Sequence, residues 1–350
     1  MFEYTAPESA YEYIVPKSAF ERTVDVYQIE KPIRMIAEDH LFKYSGEELD
    51  RNWRLHEFFD TILVINLDTA TERLKTFTEE IRSIGIPSFE RFTAVDGSTD
   101  VPPYLWDKFY LNRCNVDLST EVGQKIFTRI RKREAGCFLS CLGVYKKVKQ
   151  AFDTALSNLL QAEDTQDELK IIEAKAQVAR FSRALIFEDD AAFGFLQGNR
   201  AVKEGVGHYL NKALAQLPDD WDILYLFVYP TEPTVQISEN IQQIFGSWCL
   251  PAYVIRHTVY DELVKEFEKI HDPAVTKLAT NDLTFSAFQR KYKTYALSPA
   301  VVYAAGGEST ITGEVFAPYQ SVSEFSTDNV IGIPKPGYPP VVRTVYELQE

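Results

Sequence analysis

Thr61-Ile-Leu-Val-Ile-Asn-Leu67 is an apolar, β-branched run broken only by Asn66. So short and continuous a run predicts a strand buried on both faces of a sheet. Thr69-Ala-Thr-Glu72 follows with the S/T-x-x-E spacing of a capping box, which predicts a helix capped by Thr69. Leu74, Phe77, Ile81 and Ile84 continue at helical spacing, and Gly85 with Pro87 ends the pattern. Ser88–Val95 returns as a strand that stops at Asp96-Gly97. Strand, helix and strand in this order predict a parallel pair joined by a right-handed crossover.

The same alternation extends along the chain. Gly136–Phe152 reads as a helix, and a second amphipathic stretch covers about 154–180, interrupted by the acidic patch Glu163–Glu168. Arg183-Ala-Leu-Ile-Phe187 reads as another buried strand, stopping at Glu188-Asp189-Asp190. Trp221–Val228, Ala252–Ile255 and Tyr292–Tyr303 supply further strands, with a helix through Leu263, Val264 and Phe267 after the second of these. Strands interleaved with helices predict a three-layer α/β/α domain built on an open parallel sheet.

Outside this region the pattern changes. Residues 1–58 carry many aromatics, no sustained period and a short helical stretch near 47–58; they are expected to be an extension packed on the core. Residues 315–350, with Pro318, Pro334, Pro336, Pro339 and Pro340, read as an extended C-terminal strap. The domain between them covers 59–314.

Composition narrows the function. The chain has 350 residues, 45% of them hydrophobic, enough for a large core without covalent staples. Thirty-seven Lys and Arg against 51 Asp and Glu leave a net charge of −14, which argues against nucleic acid or an anionic membrane as the main partner. No apolar run reaches the roughly 20 residues of a membrane span. The acidic start shows no secretory signal, so a cytoplasmic location, bacterial or in a virus-infected host cell, is expected. Cys114, Cys137, Cys141 and Cys249 form no CxxC pair and read as small apolar residues in a reducing compartment.

Ligands of open α/β sheets bind beyond the carboxyl ends of the strands. Three predicted strands end there on polar groups: Asn66 and Asp68, Asp96, and Glu188-Asp189-Asp190. Three successive carboxylates repel one another unless a cation or hydrogen bonds offset them. Glu188 and Asp190, two apart on an extended segment, share a face and can converge on one hard ion such as Mg²⁺ or Mn²⁺. The alternative is an acid-rich helix start or turn.

These stretches resemble glycosyltransferase family 25, the lipooligosaccharide-type and collagen-type galactosyltransferases. Ile65-Asn-Leu-Asp68 with Glu72-Arg73, and Phe89-Glu-Arg-Phe-Thr-Ala-Val-Asp-Gly97, look like the family's opening. Glu134-Ala-Gly-Cys-Phe-Leu-Ser140 is similar to its E-x-G-C-x-L-S-H segment, and Leu185–Ala191 to its acidic strand end. Trp221–Leu226, Ala252–Ile255, Asn281-Asp-Leu283 and Ser309-Thr-Ile311 resemble later blocks in order, spanning about 60–312. The chain departs from the pattern at Cys141, where the family has histidine, and at Ala304-Ala-Gly-Gly-Glu308, which lacks a usual glutamine. The interval from Cys137 to Glu188 is also long, so about 154–180 is expected to be a helical insertion.

The resemblance implies a GT-A-type, Rossmann-like nucleotide-sugar domain. It implies a metal-dependent, inverting transferase that moves a hexose, galactose or glucose, from a UDP-sugar to a glycan or protein hydroxyl. On that reading Asp190 and Glu188 hold Mn²⁺ or Mg²⁺, Asp189 holds ribose or sugar hydroxyls, and Asn66, Asp68, Arg73 and Asp96 line the nucleoside. Asp282 is the candidate base, or else the N-cap of the helix it begins. Arg73 is otherwise a surface partner in its own helix, and Asp96 a D-G turn.

Other features carry blander readings. Arg129, Arg131, Lys132 and Arg133 read as a solvated helix start or a phosphate contact. Ser140 and Cys141 read as helix packing. Gly205-Val-Gly207 lacks the third glycine of a dinucleotide fingerprint. Trp248 and Tyr253 could stack on an acceptor sugar or pack in the core. A catalytically silent binding or assembly module is the competing function, and a glycosidase is disfavoured because adjacent acids cannot straddle a bond.

Overall fold

In the computed structural model the described residues are 58–59, 61–84, 86, 88–111, 116–197, 200–202, 205–311, 315–316 and 319–320. The readings for residues 1–57, for Gly85 and Pro87, for Cys114 and for most of the C-terminal strap lie outside them.

The opening unit folds as its sequence implies. Strand β1 (Thr61–Asn66) is followed by helix α1 (Thr71–Ser83) and strand β2 (Glu90–Thr93), and β1 and β2 pair in parallel with Leu63 opposite Glu90. The capping box does not form. The N-cap is Ala70, which makes no side-chain cap bond, and Asn66 Nδ2 donates instead to the Ala70 carbonyl at 3.0 Å. Leu67–Ala70 is a turn in which Ala70 N–H donates to Leu67 O, so Thr69 falls one residue short of the capping position.

Helix α2 spans Glu121–Thr165, far longer than the segment expected from Gly136. Thr120 caps it by accepting from Gly123 N–H, a cap invisible in the apolar periodicity because the first turns carry few buried residues. The acidic patch does mark a break: Gln166 adopts a left-handed conformation and Asp167 caps α3 (Glu168–Phe181) through Lys170 N–H.

Strand β3 (Arg183–Glu188) pairs in parallel with β1, and a turn at Asp189-Asp190 leads into the short β4 (Ala191–Phe193). Helix α4 (Val206–Leu214) follows, then β5 (Ile223–Tyr225), β6 (Ile241–Gln243) and β7 (Ala252–Arg256). Helices α5 (Tyr260–Glu268) and α6 (Asn281–Lys291), then β8 (Thr294–Leu297) and β9 (Val302–Ala304), complete the core.

The main sheet has the order β2-β1-β3-β7-β5-β8-β6, extended at the far edge by Val235–Gln236. It is mixed rather than wholly parallel, because β7 runs antiparallel between β3 and β5, and β6 antiparallel beside β8. A buried strand pattern is the same for either direction, so the run Ala252–Ile255 carried no sign of it. Two predicted strands are also shorter. Trp221–Val228 is ladder only over Ile223–Tyr225, with the flanking residues buried in turns, and Tyr292–Tyr303 divides at Pro299 into β8 and β9. Strand β9 leaves the main sheet and pairs with β4.

Alternation along the strands fills two cores. Leu63, Ala184, Ile186, Tyr225 and Tyr253 face one cluster with Phe138, Tyr145 and Val148 of α2, Phe267 of α5 and Phe285 of α6. Ile62, Val64, Leu185, Phe187 and Val254 face the other with Phe77 and Ile81 of α1 and Leu210 of α4. That is a three-layer α/β/α arrangement, with the expected layers around a mixed rather than a parallel sheet.

Candidate active site

Because β1, β2 and β3 are parallel, their carboxyl ends lie side by side. Ile65 is in register with Glu188, so the next residues, Asn66 and Asp189, meet across the strand pair. Asn66 Nδ2 donates to Asp189 Oδ2 at 2.7 Å. From the neighbouring strand Arg91 Nε donates to Asn66 Oδ1 at 2.8 Å, and its terminal nitrogen reaches Asp68 Oδ1 at 2.5 Å. Arg73, in the first turn of α1, places one guanidinium nitrogen 2.9 Å from Asp189 Oδ1 and 2.9 Å from Asp190 Oδ2. Arg73 is therefore not a surface partner within its helix. Asn66, Asp68, Arg73, Asp189 and Asp190 form one connected cluster.

The strand end is held rigidly from its other side. Glu188 N–H donates to Pro251 O at the start of β7, and Asp190 O accepts from Ala305 N–H beyond β9. Burial pushes the Glu188 carboxyl well up from its ordinary range, and the charges of Asp190, Cys137, Asp282 and Asp189 push it further. Burial also raises Asp189, with Arg73 and Asn66 opposing that rise.

These mutual effects bring two more elements to the tip. Glu134 and Cys137 come from α2 and Asp282 from α6. The Cys137 thiol is raised well above its ordinary value by its hydrogen bond with Cys141 and by burial, with Asp282 and Glu134 adding to it, so it is a poor nucleophile. Asp282 is not the helix cap: Thr280 occupies that position, and Asp282 lies half-buried in the first turn. Its neighbour Asn281 is buried and its amide reaches Cys141 Sγ at 3.9 Å, so the cysteine standing where the related pattern has histidine contacts the residue preceding the candidate base.

Asp96 has a local task. Its carboxylate accepts from Ser98 N–H at 2.8 Å, closing the turn that follows β2. Gly97 in that turn packs on the Lys132–Arg133 backbone, and Gly136 of α2 packs on Gly97 and Val95. Ser140 Oγ accepts from Val95 N–H at 2.9 Å and donates to Gly136 O at 2.7 Å, so it ties α2 to the turn. Tyr253 is core, with its hydroxyl on that of Tyr145, whereas Trp248 is half-buried with its ring parallel to that of Tyr229. In the basic cluster, Arg131 pairs with Asp107 and covers the rings of Trp106 and Phe127.

The family likeness lies in the first strand–helix–strand unit and the helix behind it. Residues 59–156 match glycosyltransferase family 25 (LPS biosynthesis protein). The family is one of glycosyltransferases, enzymes that take a sugar donor and an acceptor. Asn66, Asp68, Arg73, Asp96 and the Glu134–Ser140 segment lie inside the family 25 match, which ends within α2. Glu188, Asp189, Asp190 and Asp282 lie beyond it and join the site through the sheet. No curated protein matches the chain. No helix among the described residues is long and apolar enough to cross a membrane.

Sequence reasoning missed Arg91, Glu134 and Asn281. Arg91 and Glu134 stand inside motifs already noted, and their signal is a charge at a position the strand or helix pattern would bury: Glu134 is 3% exposed. Asn281 also stands inside a motif already noted, Asn281-Asp-Leu283, and its contact with Cys141 shows only in the structure. The carboxylates at the tip offer oxygen donors of the kind that suits a hard divalent ion. Asp190 Oδ1 is a buried carboxylate oxygen with no hydrogen-bond partner among the described residues, which is the kind of atom a cation would satisfy. No group of three His, Cys, Asp or Glu side chains among the described residues forms a ready-made cage. Glu188 and Asp190 thus fit an ion that takes its remaining ligands from substrate or water.

Proposed function

We propose that this chain is a divalent-metal-dependent, inverting glycosyltransferase of GT-A type that moves a hexose from a UDP-sugar to a glycan or protein hydroxyl. The observation that carries the reading is the meeting of Asn66, Arg73, Asp189 and Asp190 at the ends of two parallel strands, with Asp282 close enough to raise Glu188. Parallel strand ends are where an open sheet leaves room for a nucleotide.

In this reading Glu188 and Asp190 hold Mn²⁺ or Mg²⁺. The bound ion supplies Lewis-acid neutralisation of the departing diphosphate. Asn66 and Arg91 fix Asp189, and Asp68 and Asp96 face the nucleoside side of the cleft. An acceptor hydroxyl attacks the anomeric carbon from the face opposite the nucleotide, the bond to the diphosphate oxygen breaks, and Asp282 takes the hydroxyl proton.

A thermal-shift screen of UDP-, GDP- and CMP-sugars with and without Mn²⁺, followed by product analysis, tests this. A Mn²⁺-dependent shift with a UDP-sugar and transfer with inversion at the anomeric carbon are expected. Binding without transfer to any acceptor would favour the assembly-module reading, and retention of configuration would remove the single-displacement scheme.

A further inference from the structure

Arg73 lies in the first turn of α1, where a cation runs against the helix dipole and needs compensation. The compensation comes from two carboxylates on a distant strand end. One guanidinium nitrogen bridges Asp189 and Asp190 at 2.9 Å to each, with the arginine side chain 28% exposed and that of Asp190 32% exposed. The two acids are not held alike. Asp189 is 9% exposed and has a second donor in Asn66, whereas Asp190 has its Oδ2 on Arg73 and its buried Oδ1 without a hydrogen-bond partner among the described residues. Asp189 is thus an anchor for the arginine, and Asp190 is the weaker half of the bridge.

We propose that Arg73 is a cation-displaced clasp on Asp190. A divalent cation entering at Asp190 draws on the same carboxylate and weakens its bond to the guanidinium. The arginine keeps Asp189 and turns its freed donors, beside the N-terminus of α1, to the donor diphosphate. Metal entry and diphosphate capture are then coupled through one side chain, and the coupling is reciprocal. The inference rests on the metal-dependent reading of the site, and it assigns Arg73 a positioning role that the reading does not require.

Calorimetric titration of Mn²⁺, without nucleotide, into the wild type, Arg73→Gln and Asp190→Asn separates the two. Removing the competitor should tighten Mn²⁺ binding about tenfold in Arg73→Gln, a modest factor because the bridge is partly solvated. The same variant should lose the Mn²⁺ enhancement of UDP binding, and Asp190→Asn should bind Mn²⁺ weakly with or without Arg73. Equal Mn²⁺ affinity in wild type and Arg73→Gln overturns the clasp and leaves the proposed function standing. No Mn²⁺ binding to either protein overturns both. Should Arg73→Gln fail to fold, the wild type still decides: the Arg73 Nε–H resonance, assigned by its loss in Arg73→Lys, should shift on saturation with Mg²⁺, and an unmoved resonance overturns the proposal.

Discussion

Asn66 and Asp189 are 123 positions apart in the chain, and the 2.7 Å bond from Asn66 Nδ2 to Asp189 Oδ2 joins the ends of the parallel strands β1 and β3. The same amide group receives Arg91 on its carbonyl and gives its other N–H to Ala70, so one side chain orients both the acidic tip and the start of α1. Asn66→Ala leaves a buried carboxylate one donor short and should cost about 1–3 kcal/mol of stability. Donor affinity should fall with it, because Asp189 and Arg73 lose their alignment. Chemical denaturation and UDP titration on the same variant check this, and unchanged values in both would remove the organising role of Asn66.

Asp190→Ala should abolish transfer and the Mn²⁺-dependent part of UDP binding while the fold persists, since Asp190 is half-exposed and sits in a turn. Full activity of the wild type in excess chelator would end the metal assignment independently of any variant.

Asp282→Asn keeps the size of the side chain and removes its basicity. Turnover should drop by roughly 10²-fold or more with donor affinity unchanged. A steady-state assay varying donor and acceptor separately decides it, and wild-type turnover would place the base elsewhere.

Gly97 and Gly136 let the turn after β2 lie directly on the backbone of α2. A Cβ at Gly136 would stand 2.6 Å from Gly97 N and 2.7 Å from Val95 O, and one at Gly97 would clash with the Lys132 carbonyl. Neither neighbour is a flexible side-chain end. Gly97→Ala and Gly136→Ala should each lose at least about 1–3 kcal/mol in denaturant titrations, while Gly207→Ala, with open space around its added Cβ, should lose far less.

Alkali should unfold the protein cooperatively. Burial raises the hydroxyls of Tyr145, Tyr225 and Tyr253 well above their ordinary value and raises Tyr260 as well; Tyr295 is pushed up to about 12 by burial and by Asp220. The folded chain therefore keeps protons that the unfolded chain releases from about pH 10 upward. Unfolding releases protons there, so stability falls as pH rises, by up to about 1.4 kcal/mol per pH unit for each fully buried tyrosine. The last part of the tyrosinate absorbance rise should appear only with loss of the native dichroism, above about pH 10; a complete rise with the native dichroism intact would contradict the burial argument.

Residues such as Thr61–Asn66 and Arg183–Phe187 announced buried strands because a short apolar run fits little else, and the acids after the second run announced the strand's end. The paired strands β1 and β2 and the break at Glu163–Glu168 were legible for the same local reason. The early start of α2 was not, since its cap at Thr120 precedes any apolar period.

What the sequence determined by itself is therefore what depends on a residue and its near neighbours: period, burial, capping chemistry and the density of charge at a strand end. Tertiary structure alone decided that β7 runs antiparallel between β3 and β5, that Arg73 bridges Asp189 and Asp190, and that Asp282 from α6 comes near enough to raise Glu188. The reason is energetic. A strand's pattern records how deeply it is buried, which is the same against any partner, whereas partner and direction follow from the free energy of the whole packed sheet, and a guanidinium finds its carboxylates only after that sheet has brought them together.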